Sequence, residues 1–124
     1  MNKVILSLGS NFGDRRRNVE EGIACLKEIL TEMEFSDIYE TPECHGKGTL
    51  YYNCVVKGTT EMTFSRLKDL LNEYEFSCGR TPDARERGEV VIDIDIVVFN
   101  DDIKRQEDYG REFFQIGFRQ LKRK

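Results

Sequence analysis

Tryptophan is absent from the sequence, and histidine and proline are scarce, with one and two copies in 124 residues. No apolar run approaches the roughly 18 residues that a membrane-spanning helix needs, so we expect no membrane span. A strong basic balance is also missing. The formal net charge of -4 disfavours binding to nucleic acids or anionic membranes, because both attract a positive field.

Cysteine pairs at the Cys-x-x-Cys spacing are missing as well. The four cysteines are widely separated, which indicates buried or idle thiols in a reducing compartment rather than disulfides or zinc ligands. They are Cys25, Cys44, Cys54 and Cys78. Residues 1–8 form too short an apolar stretch for a secretory signal and are soon followed by polar residues, so a cytoplasmic location is predicted.

The composition that remains is typical of one folded domain. Hydrophobic residues make up 39% of the chain and charged residues 34%, which favours a globular protein over a disordered one. A chain of this length suits a single core, so one domain over residues 1–124 is predicted. The basic end, residues 119–124, is predicted to be a frayed, solvated tail. We favour a monomer.

Hydrophobic periodicity predicts the element order β-α-β-β-α-β. Alternating apolar residues indicate strands over residues 3–8, 35–39, 50–56 and 90–99. Asp14 and Thr63 are suitable caps for two amphipathic helices, the second of which ends at Gly79. Residues 40–49 and 81–89 are predicted loops. This order is typical of a ferredoxin-like α+β fold, an antiparallel sheet with both helices packed on one face.

The last predicted strand carries a pair of acidic residues. Asp93 and Asp95 are two positions apart, so both project from the same face of the strand, together with Val97. Magnesium prefers oxygen ligands and often binds one or two carboxylates plus phosphate oxygens, which this pair suits. A solvated strand face is the alternative. The opposite face is predicted to be apolar and to hold Ile92, Ile94, Ile96 and Val98.

Two further groups of residues suggest a ligand. Arginines precede the acidic strand, and the guanidinium fork suits phosphate, although ordinary loop charge is the alternative. They are Arg80, Arg85 and Arg87. Tyr51 and Asn53, on the strand after the loop of residues 40–49, combine an aromatic ring with an amide. That combination suits a flat heterocycle, with an ordinary strand face as the alternative.

Three separated stretches resemble the 6-hydroxymethyl-7,8-dihydropterin pyrophosphokinase family. They are SLGSN at residues 7–11, YETP at residues 39–42 followed by YYN at residues 51–53, and the segment from Gly88 through IDIDI at residues 92–96 to Phe99. Their order and spacing match the family over roughly residues 3–100. The resemblance implies a ferredoxin-like fold and a short, divergent family member.

The resemblance also implies a function and a set of site residues. The family transfers pyrophosphate from ATP to the hydroxymethyl group of the pterin, giving AMP and the pterin diphosphate, in folate biosynthesis. Two Mg²⁺ ions would bind Asp93 and Asp95, which with Arg80 and Arg87 would form the catalytic group. The pterin would contact Gly9, Thr41, Pro42, Cys44, Tyr51, Asn53 and Phe113, and the nucleotide would contact Glu75, Arg80, Arg85 and Arg111.

The sequence departs from the family pattern near the phosphates. The tryptophan is missing, Val90 stands where the second arginine of the family's Arg-Trp-Gly-Pro-Arg stretch is expected, and residues 101–110 lack a proline-histidine pair. These departures predict weakened activity, because removing a charge-stabilising donor slows reactions strongly. The alternatives are a non-catalytic pterin- or nucleotide-binding module on the same fold and, with less support, a purely structural protein.

Overall fold

A computed structural model describes residues 1–42 and 50–122, and within them six strands form one antiparallel sheet. The strands are β1 (Asn2–Ser10), β2 (Thr31–Phe35), β3 (Tyr39–Pro42), β4 (Leu50–Thr60), β5 (Asp93–Phe99) and β6 (Asp102–Ile103). The helices are α1 (Arg15–Lys27), α2 (Phe64–Ser77), α3 (Pro82–Glu86), α4 (Gln106–Tyr109) and α5 (Glu112–Lys122). The strand order is β2-β4-β1-β5-β6, and β3 pairs with β4 as well. The predicted ferredoxin-like α+β arrangement is confirmed.

The larger core lies between one face of the sheet and helices α1 and α2. Side chains alternate along β1, so that Val4, Leu6 and Leu8 all point into this core. The helices contribute Val19, Ile23, Leu26, Leu67 and Leu71. Burial of each such side chain contributes about 1.5–3 kcal/mol. Asp14 and Thr63 cap the two helices as predicted, each accepting a backbone N–H at 3.2 Å.

The predicted second strand, residues 35–39, is in fact the point where this edge of the sheet breaks into β2 and β3. Ser36 lies in the break. Its N–H donates to the Val55 carbonyl at 2.9 Å, while its hydroxyl oxygen accepts the Val55 N–H at 2.9 Å. A side-chain hydroxyl thus replaces a backbone carbonyl in the ladder. The prediction of a loop from residue 40 is wrong for residues 40–42, which belong to β3.

Strand β5 begins at Asp93, later than predicted, and the preceding loop contains the short helix α3, capped by the Thr81 hydroxyl. A register shift in the pairing of β1 with β5 changes which side chains face the larger core. Leu6 pairs with Ile96, whereas Ile5 pairs with Val98. The bulge therefore turns Val98 toward the same cluster as Val97. The prediction that Val98 and Ile96 project from the same face of the strand is wrong.

A helix that periodicity analysis did not identify covers the opposite face of the sheet. Helix α5 packs over Val55, Val97 and Val98 through Phe114 and Leu121. The predicted frayed tail is wrong up to Lys122, because the helix continues to that residue and buries Leu121. Within residues 1–42 and 50–122, no helix is long and apolar enough to cross a membrane.

Candidate active site

A cavity of about 210 Å³ lies on the sheet face opposite α1 and α2, where α4 and α5 begin. It is lined by Ser7, Gly9, Thr41, Pro42, Tyr51, Asn53, Asp93, Asp95, Arg105, Asp108 and Phe113. The structure therefore brings together every described residue that was predicted to contact a pterin, and it adds the acidic pair. The predicted contact Cys44 lies outside the described residues.

Strand register places these side chains around the cavity. Gly9, in the central strand β1, pairs with Asn53 on one side and with Asp93 on the other. Because Gly9 has no side chain, it leaves a trough between the amide and the carboxylate. A Cβ atom at Gly9 would lie 3.4 Å from the Tyr51 ring and 3.6 Å from Asn53 Oδ1, so a methyl group would occupy cavity space.

The amide of Asn53 is held in one orientation. Its Nδ2 donates to Thr41 Oγ1 at 2.7 Å and to the Tyr39 and Tyr51 carbonyls at 3.3 and 3.2 Å. Only 3% of Asn53 is exposed. With the nitrogen committed to protein acceptors, Oδ1 is turned toward Gly9 and the cavity. A ligand N–H would find a fixed acceptor there.

The acidic pair belongs to a row of three carboxylates, with Arg80 at one end and Arg105 at the other. The carboxylates are those of Glu75, Asp93 and Asp95. Glu75 of α2 is buried, and its Oε2 accepts the Ile94 N–H at 2.7 Å. Arg80 bonds to Glu75 at 2.6 Å and lies 3.7 Å from Asp93. Asp93 lies close enough to both Glu75 and Asp95 for its charge to raise the pKa of each.

Burial and the charge of Asp93 raise the proton affinity of two of these carboxylates, those of Asp95 and Glu75. Burial, followed by the charge of Asp93, raises the pKa of Asp95 from 3.8 to about 8, against the opposing effect of Arg105. Burial also raises the pKa of Glu75 to about 7, although the hydrogen bond from Ile94 favours its charged form. The row is therefore short of positive charge and would be stabilised by a bound cation.

Arg105, Asp108 and Ser7 were not predicted from the sequence. Arg105 precedes α4, with its Nη1 3.9 Å from Asp95 and its Nε bonded to Asp108. Ser7 pairs with Asp95 across the β1–β5 ladder. The strand period could have identified Ser7, because it points the same way as Gly9. The three-residue spacing of Arg105 and Asp108 was a weaker signal that both lie on one side of a helical turn.

The predicted phosphate-binding arginines lie in two different environments. Arg85 and Arg80 line a second cavity of about 120 Å³ that shares Asp93 with the first. Arg87 instead pairs with Glu89 at 2.9 Å and is 58% exposed, and Arg111 pairs with Glu107 at 2.9 Å. Neither of the latter two is among the described residues that line the cavity of the acidic pair.

A third cavity lies beyond Asp95. It has a volume of about 110 Å³ and carries three cationic side chains, those of Lys68, Lys104 and Arg105, together with the amide of Asn72. Asp95 is shared with the first cavity. We call the first cavity the aromatic-amide cavity, because Tyr51, Phe113 and Asn53 line it. The acidic pair thus lies between this cavity and two smaller ones with basic side chains in their walls. A phosphate chain laid across the pair would have cations on both sides.

The residues present fit a magnesium ion that is shared with a ligand. No group of three or more histidine, cysteine or acidic residues that could hold a metal ion occurs in the part of the chain that the structure describes. Of the row of three carboxylates, those of Asp93 and Asp95 line the first cavity, and the pKa of Asp95 is raised. Magnesium commonly binds one or two carboxylates and completes its shell with water and phosphate oxygens.

The fold and the site together define the class of protein. It is an α+β protein whose aromatic-amide cavity adjoins an acidic pair flanked by cationic side chains. The chain belongs to the 7,8-dihydro-6-hydroxymethylpterin-pyrophosphokinase family, whose model matches residues 5–123. The family resemblance read from the sequence is therefore confirmed.

Curated relatives agree with this membership. A folate synthesis bifunctional protein of Chlamydia caviae is 31% identical over 112 residues, which are 85% of this chain and 25% of that protein. The 2-amino-4-hydroxy-6-hydroxymethyldihydropteridine pyrophosphokinase of Bacillus subtilis is 32% identical over 102 residues, 80% of this chain and 60% of that protein. Its Aquifex aeolicus namesake is 33% identical over 110 residues, 85% of this chain and 66% of that protein. The chain thus spans less than two thirds of the length of these relatives.

Proposed function

We propose that this chain transfers pyrophosphate from ATP to the hydroxymethyl group of 6-hydroxymethyl-7,8-dihydropterin, giving AMP and the pterin diphosphate. One observation carries the proposal: Tyr51, Asn53 and Phe113 share a single cavity with Asp93 and Asp95. Membership of the family and the names of the relatives support it. A role in folate biosynthesis and a cytoplasmic location belong to the same proposal.

The pterin is assigned to the aromatic-amide side of the cavity. Tyr51 and Phe113 offer ring faces for a flat heterocycle, and Asn53 offers a fixed acceptor for its edge. This placement puts the reactive hydroxymethyl group near the acidic pair. Binding of this kind accelerates the reaction by orienting the attacking oxygen, so no nucleophilic side chain is required.

ATP is assigned to the acidic pair and the basic clefts beside it. Asp93 and Asp95 would hold magnesium, two ions in our proposal, which neutralises the charge of the triphosphate when bound. Arg80 is kept in place by the buried Glu75 and can direct its remaining donors at phosphate oxygens. The triphosphate is neutralised from the other side of the acidic pair by Lys68, Lys104 and Arg105. In the proposed reaction the pterin hydroxyl oxygen bonds to the β-phosphorus in line, the bond from that phosphorus to AMP breaks, and the hydroxyl proton passes to solvent.

A non-catalytic pterin-binding module is the second candidate. The exposed Arg87 and the paired Arg111 favour it, because two predicted phosphate contacts instead form ion pairs with Glu89 and Glu107. Val90 removes a further cation from the predicted set. This candidate keeps the aromatic-amide cavity and predicts pterin binding without turnover.

The test is AMP release from ATP with magnesium and the hydroxymethyl pterin, combined with calorimetric binding of the pterin. We expect AMP formation that requires all three components and is lost in Asp95→Ala. Asp69→Ala is the matched control, because Asp69 is an exposed acid on α2. Saturable pterin binding with no AMP above the Asp95→Ala background would support the binding module. Absence of both binding and AMP would overturn both candidates.

A further inference from the structure

The hydroxyl of Tyr39 lies within the first turns of helix α5. It donates a hydrogen bond to the Phe113 carbonyl and accepts the Gly117 N–H at 3.1 Å. Phe113 and Gly117 are four residues apart, so these two groups are the partners that would close a turn of α5 with each other. The hydroxyl of Tyr39, a residue of β3, therefore links a carbonyl and an N–H that are one helical turn apart in α5.

Gly117 makes this contact possible by allowing α5 to lie directly on the sheet. A Cβ atom at Gly117 would lie 2.6 Å from Val55 Cγ2 and 2.9 Å from Ser36 Oγ, closer than atoms can approach. Burial raises the pKa of Tyr39, so its hydroxyl stays protonated and able to donate.

The same tyrosine also contacts the opposite wall of the candidate active site. Its carbonyl accepts a hydrogen bond from Asn53 Nδ2 at 3.3 Å, and the two residues are cross-strand partners. One end of Tyr39 thus contacts the amide that would read the heterocycle edge. The other end contacts the backbone of Phe113, whose ring lines the same cavity.

We propose that Tyr39 is a positioning residue for the pterin, whose hydroxyl sets the separation between the Asn53 wall and the Phe113 wall. The inference rests on the proposed function, because it takes the cavity to be the pterin site. Tyr39 does not line the cavity among the residues described there, so it acts through Phe113. A purely structural role would lower stability without selecting between ligands.

The variant that isolates the hydroxyl is Tyr39→Phe, which keeps the ring. We expect the dissociation constant for 6-hydroxymethyl-7,8-dihydropterin to rise roughly tenfold, about the effect of one hydrogen bond. The affinity for magnesium-bound non-hydrolysable ATP should stay within about twofold. Tyr74→Phe is the control, because Tyr74 is a partly buried tyrosine of α2 that packs against the larger core, whereas Phe113 packs against the cluster on the opposite face of the sheet.

A double-mutant cycle with Phe113→Leu tests whether Tyr39 acts through Phe113. The double variant should bind pterin no more weakly than Phe113→Leu alone, since the hydroxyl has nothing left to position. Additive losses would overturn the inference. In wild-type protein, pterin binding should slow hydrogen exchange of the Gly117 amide, and an unchanged rate would overturn the inference even if Tyr39→Phe failed to fold.

The outcomes separate the inference from the proposed function. Wild-type protein that binds no pterin overturns the proposed function and the inference with it. Wild-type protein that binds pterin, with Tyr39→Phe binding equally well, overturns the inference alone. Selective loss of pterin affinity in Tyr39→Phe, absent from Tyr74→Phe, supports it.

Discussion

Replacing Asp95 by asparagine should stabilise the metal-free protein while removing its response to magnesium. The carboxylate is largely buried beside Asp93, which raises the pKa of Asp95 from 3.8 to about 8. A raised folded-state pKa means that the folded protein prefers the protonated form. That stability is present below about pH 4 and is lost as the pH rises through about 8. Asparagine has nearly the same shape and carries no charge, so it avoids the loss.

The magnitude follows from the same values. Between pH 3.8 and about pH 7, wild type loses stability over about three pH units, each worth about 1.4 kcal/mol for one proton. The upper limit is therefore about 4 kcal/mol. Because 24% of the Asp95 side chain is exposed to solvent that screens its charge, we expect about half of this, about 2 kcal/mol.

Urea denaturation in chelator at about pH 7 and about pH 4 measures this difference. Asp95→Asn should be more stable than wild type at the higher pH by about 2 kcal/mol and nearly equal at the lower pH. Added magnesium should then raise the midpoint of wild type only. An advantage of the same size at both pH values, or a less stable variant at about pH 7, would refute the reasoning.

Three other substitutions test separate features of the site. Gly117→Ala should cost about 3 kcal/mol in urea denaturation, because its Cβ would overlap Val55; a change below about 1 kcal/mol would contradict the close contact of α5 with the sheet. Gly9→Ala should weaken pterin binding in calorimetry with little change in stability, since the methyl group would enter the cavity beside Tyr51. Arg105→Gln should tighten magnesium binding several-fold without ATP, because a competing cation leaves the acidic pair, yet raise the KM for ATP. Unchanged values for both would argue against its position.

Several features could be read from local sequence. The cap residues Asp14 and Thr63, the alternation along β1, and the shared direction of Asp93 and Asp95 each depend on residues a few positions apart. Motif spacing then sufficed to place Thr41, Pro42 and the residues of β4 at one site. Local geometry in strands and helices repeats with a known period, so these patterns survive in the folded protein.

Other features depended on distant parts of the chain. The Ser36 hydroxyl replaces a ladder carbonyl only because Val55 lies opposite it, and the bulge in β1–β5 pairing redirects Val98 against the strand period. Similarly, Arg105 reaches Asp95 whereas Arg87 pairs with Glu89. An arginine carries the same charge in all these places, and the path of the backbone decides which acid it meets.

By itself, the sequence determined the order of strands and helices of the central fold, the direction of the acidic pair and the family, because these rest on periodicity and short motifs. Three-dimensional packing set which cations flank the carboxylates, how far burial raises the pKa values of Glu75 and Asp95, and how Tyr39 joins α5 to the sheet. Those properties arise from desolvation and contacts between residues far apart along the chain, which vary with three-dimensional packing and leave no periodic pattern in the sequence.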